Sequence, residues 1–245
     1  MEINDIKKFE KDKKWHSSTG APFVDELSEK ITGRIARSRH FDVTYILYII
    51  KELMGEKCKT VVDIGALWGG STITMMQSEH PSTFITIDLF DGYYNQYSGS
   101  REGFGPTDPV VGLKNTVEVV GENIKQTNIH EHPVYLIKGN SSDEKVVNSV
   151  KSLTDNNIDL LFIDGDHTKE GVLKDWNNYS EMISKGGIVI FDDYWTEDKI
   201  GKGGWTDKEW MDIVGAYEEI KNQKDFSKNW KEIGLIGDKK IVERL

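Results

Sequence analysis

The chain has 245 residues, of which 37% are hydrophobic, and its formal net charge is −10 at pH 7. This length predicts one α/β domain of ordinary size, and the negative charge disfavours non-specific binding to nucleic acid. No apolar run approaches the roughly 18 residues of a membrane span, and the charged residues 1–14 do not resemble a secretory signal. Cys58 is the single cysteine, which predicts a cytoplasmic protein without an internal disulfide.

Residues 1–56 precede the predicted sheet. Residues 1–24 are polar and mixed in charge, with Trp15 and His16, and we expect them to form an arm or lid. In residues 25–56 the apolar positions recur at helical spacing, which predicts two helices. The residues that carry this spacing are Leu27, Ile31 and Ile35, followed by Tyr45, Leu47, Tyr48, Ile50, Leu53 and Met54.

From residue 60 onward, segments typical of strands and helices alternate, which predicts βαβ units and a mostly parallel sheet. The predicted strands are 60–64, 84–89, 133–138, 158–163 and 187–191, and the predicted helices are 71–79, 109–127, 143–153 and 169–184. The last helix carries an apolar stripe that would face the sheet, made of Val172, Leu173, Trp176, Tyr179 and Ile183. Two short strands joined by Gly237-Asp238, 233–236 and 239–242, then predict a terminal hairpin.

A glycine-rich turn follows the first strand. A dinucleotide fingerprint would have a second glycine where this chain has Leu67, so the turn favours a cofactor without a pyrophosphate at this point, such as S-adenosylmethionine. Gly65 would let the backbone approach the methionine part of the cofactor, and Asp63 could receive its ammonium group. The alternative is a simple tight turn between strand and helix. The candidate cofactor-binding residues here are Asp63, Gly65, Ala66, Leu67, Gly70 and Ser71.

The next two strands extend the candidate cofactor site. Asp88 ends the second strand at an offset close to the roughly 20 residues typical of an acid that holds ribose hydroxyls. Asp91 is the competing candidate for this role. Asn140 and Ser141 follow the third strand and could border an adenine ring, although the same residues could instead cap the following helix.

Three carboxylates follow the fourth and fifth strands. Asp164 ends one buried strand, and Asp192 and Asp193 end the next. Because ligands of an open parallel sheet bind beyond the carboxyl ends of its strands, these acids predict a hard oxygen site suited to Mg²⁺. No cysteine or histidine pair has zinc spacing. In the alternative interpretation, Asp166 caps the next helix and the acid pair opens a turn.

His167 lies beside these acids and is the candidate general base, because histidine titrates near neutrality. A carboxylate could take this role instead, and Asp164 is therefore a candidate both for catalysis and for contact with the cofactor. A surface position without function is the alternative for His167.

Two long segments without a regular pattern, 91–108 and 194–206, leave the carboxyl ends of predicted strands. Loops of this length are usually functional, so we expect them to form walls of an acceptor pocket; surface insertions are the alternative. Trp195, Trp205 and Trp210 could line the acceptor side, since aromatic faces suit sugars, although Trp210 could equally pack a helix.

The segments 163–168 (Ile-Asp-Gly-Asp-His-Thr) and 186–194 (Gly-Gly-Ile-Val-Ile-Phe-Asp-Asp-Tyr) resemble motifs of the metal-dependent class I O-methyltransferases. The likeness covers roughly residues 60–195 and is greatest to the macrocin and mycinamicin sugar O-methyltransferases and the aminocoumarin sugar methyltransferases. It implies that Asp164, Asp192 and Asp193 hold Mg²⁺ and that His167 is the base. Catechol O-methyltransferase is similar but has a lysine at the position of His167, which favours sugar-like hydroxyls.

The resemblance implies a Rossmann-like class I methyltransferase fold: a mostly parallel seven-stranded sheet with a C-terminal antiparallel hairpin and helices on both faces. We expect one methyltransferase domain over 1–245, with the arm and helices in 1–56 and a catalytic core that binds S-adenosylmethionine in 57–245. The predicted activity is S-adenosylmethionine- and Mg²⁺-dependent O-methylation of a hydroxyl of a small molecule, and the expected acceptor is a sugar or a glycosylated natural product. The alternatives are a catalytically silent cofactor-binding module and a methyltransferase of a catechol-like acceptor. A nicotinamide oxidoreductase is disfavoured by Leu67 and the hairpin.

We expect no nucleic-acid or membrane partner, and the helices before the sheet could form a homo-oligomer.

Overall fold

A seven-stranded sheet organises the molecule. The computed structural model describes residues 1–16, 20–33, 35, 44–90, 114–195 and 212–245. The strands are β1 (Thr60–Ile64), β2 (Thr83–Asp88), β3 (Val134–Lys138), β4 (Ile158–Ile163), β5 (Ile183–Phe191), β6 (Trp230–Ile236) and β7 (Lys239–Arg244). Their order is β3-β2-β1-β4-β5-β7-β6, and all neighbours are parallel except that β7 is antiparallel to both β5 and β6. The predicted parallel sheet with a terminal hairpin is confirmed.

Helices cover both faces of the sheet. They are α1 (Ile3–Lys13), α2 (Pro22–Lys30), α3 (Tyr45–Met54), α4 (Gly70–Met75), α5 (Val117–Thr127), α6 (Glu144–Thr154), α7 (Lys169–Tyr179), α8 (Ile213–Lys221) and α9 (Phe226–Asn229). Successive strand residues point to opposite faces, so Val61 joins the core under α1–α5 while Val62 joins the core under α6–α9. Strands buried on both faces explain the continuous apolar runs in the sequence.

Several predicted helix boundaries are wrong. The helix predicted over 169–184 ends at Tyr179, and after a 3-10 turn Ile183 is already the first residue of β5. An apolar residue satisfies a helical stripe and a buried strand equally well, so periodicity could not separate them. Ile31 and Ile35 lie outside α2, and α4 ends at Met75 rather than residue 79. Helix α5 begins at Val117, and residues 109–113 of its predicted range lie outside the described residues.

The described part of residues 1–24 is packed onto the fold, and the prediction that these residues form an arm or lid stays a prediction. Ile6 is fully buried, and α1 contacts both α3 and β6. Trp15 joins an aromatic cluster with rings from α1, α2 and α3, namely Phe9, Phe23, Tyr45 and Tyr48. The apolar side of this short, charged helix therefore serves the core. None of the described helices is long and apolar enough to cross a membrane.

Candidate active site

The sheet brings the predicted site residues to one edge. Strand β4 lies between β1 and β5, with Ile64 opposite Ile163 and Ile163 opposite Phe191. The ladder continues one residue beyond the strands, because the Asp164 N–H donates to Ile64 O (3.0 Å) and the Asp192 N–H donates to Ile163 O (3.0 Å). The acids after β4 and β5 and the glycine turn after β1 are therefore adjacent, as the sequence predicts.

Gly65 is required by its neighbour on β4. Its φ is +89°, and a Cβ there would lie 1.9 Å from the carbonyl oxygen of Asp164. We predicted that this glycine admits the methionine part of a cofactor, but the close approach that the structure describes is to the 164–165 backbone. Leu67 also has a positive φ, +50°, and its N–H donates to Asp88 Oδ2 (2.8 Å). The glycine turn is thus held between the chain after β4 and the acid that ends β2.

Asp63 is buried beneath this turn, with 1% of its surface exposed. Its Oδ2 accepts hydrogen bonds from Ser71 Oγ (2.6 Å) and from Thr72 Oγ1. Its Oδ1 is buried without a hydrogen-bond partner among the described residues. Burial raises the pKa of Asp63 to about 6, against the opposing effect of the two hydroxyl donors. A buried carboxylate oxygen without a donor fits the predicted reception of an ammonium group, directly or through water.

Asp88 accepts hydrogen bonds from three neutral donors that the structure describes. Besides the bond to the glycine turn, its Oδ1 accepts from the Phe90 N–H (2.9 Å) and from Asn115 Nδ2 (3.4 Å). The competing candidate for the ribose, Asp91, lies outside the described residues. Asn115 is buried just before α5, and the sequence analysis missed it because a lone Asn in a polar segment carries no periodic signal.

Asn140 and Ser141 follow β3, and neither is the N-cap of α6, which is Asp143. Asn140 Oδ1 accepts from the N–H and Oγ of Ser142, so it forms a local turn. Ser141 is held twice from α7: its Oγ donates to Asp175 Oδ1 (2.6 Å), and its carbonyl accepts from Tyr179 OH (2.7 Å).

Asp175 was missed in the sequence. Burial raises its pKa to about 7, although the Ser141 hydroxyl opposes this, and its Oδ2 is buried without a partner among the described residues. Asp175 lies three residues after Val172 and four before Tyr179, within the buried stripe of α7. An acid in an apolar stripe was the signal that could have revealed it.

His167 lies between two of the predicted metal ligands. Its Nε2 is 3.0 Å from Asp164 Oδ1, and its Nδ1 is 3.5 Å from Asp193 Oδ2; 28% of the side chain is exposed. Burial opposes an imidazolium here, but the hydrogen bond with Asp164 and the charges of Asp193 and Asp164 outweigh it and raise the pKa of His167 to about 9. The Asp212 N–H also donates to the carbonyl of His167 (3.0 Å), which ties the loop to the start of α8.

Asp166 and Asp193 have local roles in the loops. Asp166 Oδ1 accepts from the Thr168 N–H, but Thr168 itself is the N-cap of α7, with its hydroxyl accepting from the Gly171 N–H (3.1 Å). The alternative in which Asp166 caps this helix is therefore wrong. Asp193 adopts a φ of +50°, and its Oδ1 accepts from Trp195 Nε1 (3.0 Å).

Asp192 is paired with a buried lysine that the sequence analysis counted only as part of the hairpin. Lys239 Nζ donates to Asp192 Oδ1 and to Asp238 Oδ1 (2.9 Å), and 1% of the lysine side chain is exposed. Burial raises the pKa of Asp192 well above its usual value, and the charge of Lys239 opposes this shift.

The donor atoms at this edge fit a hard cation. One atom each from Asp164, His167 and Asp193 lie within 4.8 Å of one another, and so do carboxylate oxygens of Asp192, Asp193 and Asp238. Carboxylates that share such a space are the ligands that Mg²⁺ prefers in proteins. Asp193 belongs to both groups and would be the residue that connects them.

Comparison with known proteins identifies the family. Residues 62–194, more than half of the chain, match the family model described as a methyltransferase domain. The chain belongs to this methyltransferase family. The match contains the last three residues of β1, the glycine turn, and all three acids of the predicted metal site.

Individual proteins are also similar to this chain. A protein of Acanthamoeba polyphaga mimivirus, named only as uncharacterized, is 37% identical to the methyltransferase over 135 residues, 55% of this chain and 51% of that protein. The chain thus spans about half the length of this curated relative. The O-methyltransferase from Bacillus cereus in complex with SAH has a TM-score of 0.57 at 14% identity, covering 91% of this chain and 90% of that one. The MycE methyltransferase from the mycinamycin biosynthetic pathway, in complex with Mg and SAH, has a TM-score of 0.55 at 18% identity, covering 93% of this chain and 55% of that one. At such identities these two structures show the shared Rossmann-like methyltransferase fold.

The predicted acceptor walls fall mostly outside the described part of the methyltransferase. The structure does not describe residues 91–108 and 196–206, which include Trp205, or Trp210. Trp195 is described, and its indole is directed to Asp193. Its predicted contact with an acceptor remains a prediction.

Proposed function

We propose that this methyltransferase transfers a methyl group from S-adenosylmethionine to a hydroxyl of a small molecule, with Mg²⁺ at the acid cluster. The observation that carries the proposal is the imidazole of His167 between Asp164 and Asp193, directly beside the glycine turn after β1. A proton acceptor next to a cofactor site, within a cluster of hard oxygen ligands, suits the removal of a hydroxyl proton during methyl transfer.

The cofactor side of the proposal rests on Asp63 and Asp88. The partnerless Oδ1 of Asp63 would receive the ammonium group of S-adenosylmethionine, which supplies an activated methyl group on a sulfonium. Asp88 is oriented by two backbone N–H donors at the end of β2, and it would hold the ribose hydroxyls. Ser141, which α7 holds through Asp175 and Tyr179, would border the adenine ring. The bound cofactor and the base would then lie at the ends of neighbouring strands.

His167 would accept the hydroxyl proton, and Asp164 and Asp193 would stabilise the resulting imidazolium. The two carboxylates make the neutral imidazole a stronger base, and the bond from Asp212 to the carbonyl of His167 orients the loop. Bound to Asp164, Asp192 and Asp193, Mg²⁺ would polarise the acceptor hydroxyl and offset the carboxylate charges that favour protonation of His167. Alignment of the acceptor oxygen with the methyl group would supply much of the remaining rate.

A sugar or glycosylated natural product is the acceptor that we propose. The MycE complexes with Mg and SAH, and with mycinamycin VI in addition, support this class through the shared fold. The indole of Trp195 beside Asp193 supports it as well, because an aromatic face suits a sugar ring. The net charge of −10 argues for a small molecule rather than a nucleic acid. The buried free thiol of Cys58 is consistent with a reducing cytoplasm, which we propose as the location.

The test combines binding and turnover. Calorimetric titration of the wild type with S-adenosylhomocysteine and with Mg²⁺ should show two separate binding events, and radiolabelled S-adenosylmethionine should methylate a member of a panel of sugars, glycosides and catechols. Asp193→Asn should abolish Mg²⁺ binding while keeping nucleoside binding, because Asn tolerates the positive φ at this position. Asp166→Asn is the matched control on the same edge and should bind both ligands. A wild type that binds no nucleoside would overturn the proposal, and metal-independent turnover would restrict it to the methyl transfer.

A further inference from the structure

Lys239 occupies an unusual position for a lysine at the start of a hairpin strand. Strand β7 pairs with β5 so that Lys240 lies opposite Phe191, which brings Lys239 next to Asp192. The Tyr194 N–H donates to the carbonyl of Asp238 (2.8 Å) and extends this pairing past the end of β5. The lysine side chain is 1% exposed, and its ammonium bonds both Asp192 and Asp238. The hairpin therefore inserts a fixed cation behind the acid cluster.

The charges at this edge explain why a buried cation is needed there. Four carboxylates meet at this edge, from Asp164, Asp192, Asp193 and Asp238, and each shares a group of close donor atoms with at least one of the others. Buried carboxylates are costly unless a positive charge or hydrogen bonds compensate them. The protein supplies such charge in Lys239, which bonds the two most buried of the four acids.

We infer that Lys239 is an internal counter-cation that competes with the divalent metal for Asp192 and thereby lowers the affinity of the site for the metal. This inference rests on the proposed function, because it concerns the same metal site. The lysine neutralises Asp192 when the metal is absent, so the protein remains stable without it. A divalent cation held by Asp192 and Asp193 would share the Asp192 carboxylate with the ammonium and would be repelled by it.

Removal of the lysine charge should therefore strengthen metal binding and make stability depend on the metal. In Lys239→Met, two buried carboxylates lose their counter-ion, and a divalent cation that binds the folded state should restore the stability. Lys239→Gln removes the same charge but keeps an N–H donor for Asp192 and Asp238, so it is expected to fold more readily, while Asp192 still loses its competitor. Lys240→Met is the matched control, because it deletes the same charge one residue further along β7, where the ammonium bonds Glu232.

The experiment measures the dissociation constant for Mn²⁺ by electron paramagnetic resonance of the free ion, and the melting temperature with and without MgCl₂. We expect Lys239→Met and Lys239→Gln to bind Mn²⁺ at least tenfold more tightly than wild type and to gain more in melting temperature from Mg²⁺. Lys240→Met should match wild type. If wild type binds Mn²⁺ and the two lysine variants bind it equally or less tightly, the inference is overturned and the proposed function stands. If neither wild type nor any variant binds Mn²⁺, the metal site itself is refuted along with the inference.

Discussion

The two halves of the candidate site, the cofactor side and the acid side, stabilise their carboxylates in different ways. On the cofactor side, Asp63 in β1, Asp88 at the end of β2 and Asp175 in α7 accept hydrogen bonds from hydroxyls, an amide and backbone N–H groups. On the acid side, at the ends of β4 and β5, Asp164 and Asp192 pair with His167 and Lys239. Oriented neutral donors suit a ligand recognised by shape and hydrogen bonds, whereas charged partners can be exchanged for another cation or a proton. The difference in partner type matches the two roles that we propose, cofactor recognition for the first half and proton and metal chemistry for the second.

The largest effect should come from His167, the charged partner that we propose as the base. We expect His167→Gln to lower the rate of methyl transfer by about 10²- to 10⁴-fold, the range that a positioned base contributes. The affinity for S-adenosylhomocysteine should stay within about twofold, because the cofactor side keeps its neutral donors. The measurement pairs single-turnover kinetics with calorimetry. His130→Gln is the control, since His130 lies in the turn before β3, and a rate for His167→Gln close to that of wild type would remove the histidine from the mechanism.

The contact between the two halves should be the next most sensitive feature. We expect Gly65→Ala to destabilise the protein by about 3 kcal/mol or more and to abolish nucleoside binding, because its Cβ would overlap the carbonyl of Asp164. Gly186→Ala separates this overlap from backbone strain: Gly186 also has a positive φ, +80°, but nothing lies within 4 Å of its added Cβ. We expect Gly186→Ala to lower the free energy of unfolding by about 1 to 2 kcal/mol. If urea denaturation gives the same loss in free energy of unfolding for Gly65→Ala and Gly186→Ala, the contact between Gly65 and Asp164 is unimportant.

Asp175 offers a test of the neutral-donor side through pH. Burial raises its folded pKa to about 7, above the unfolded value near 4, so the folded state binds the extra proton between these values and stability falls as pH rises through this window. Between pH 5 and pH 8, this proton linkage lowers the free energy of unfolding by at most about 2.5 kcal/mol. Asp175→Asn, which keeps an acceptor for Ser141, should lose less stability over this range than wild type. Asp143→Asn, at an exposed acid, should retain the wild-type slope; equal slopes for Asp175→Asn and wild type would contradict the role of burial.

The smallest effect is expected from the buried acid under the glycine turn. Asp63→Asn should weaken S-adenosylhomocysteine binding by about tenfold, because the amide no longer carries the charge that attracts an ammonium group. Binding of 5′-methylthioadenosine, which lacks the amino-acid part, should remain unchanged. Calorimetry with both nucleosides checks this, and equal weakening of the two would place Asp63 in a structural role alone.

The sequence was informative where a site residue ends a buried strand. The acids at 164, 192 and 193 stand out because polar residues directly follow apolar runs, and parallel strands bring their carboxyl ends together. Asp175 and Lys239 were missed for the opposite reason. Asp175 lies within the apolar stripe of a helix, and Lys239 lies within a hairpin strand. Local sequence patterns predict these elements, but they do not predict which residues the order of the strands brings into contact. The same limit applies to Ile183, whose burial suits both helix and strand.

The close packing of Gly65 on Asp164 also bears on how new acceptor specificities could arise. The proposed cofactor turn and the proposed base follow β1 and β4, neighbouring strands that lie about 4.8 Å apart and are joined by backbone hydrogen bonds, so the framework fixes their separation. The segments that follow β2 and β5 can then vary in length and composition without moving these groups. A library that randomises residues 91–108 and 196–206 should therefore yield changed acceptor ranges with an unchanged methyl-transfer chemistry, as grafted sites on a rigid framework do.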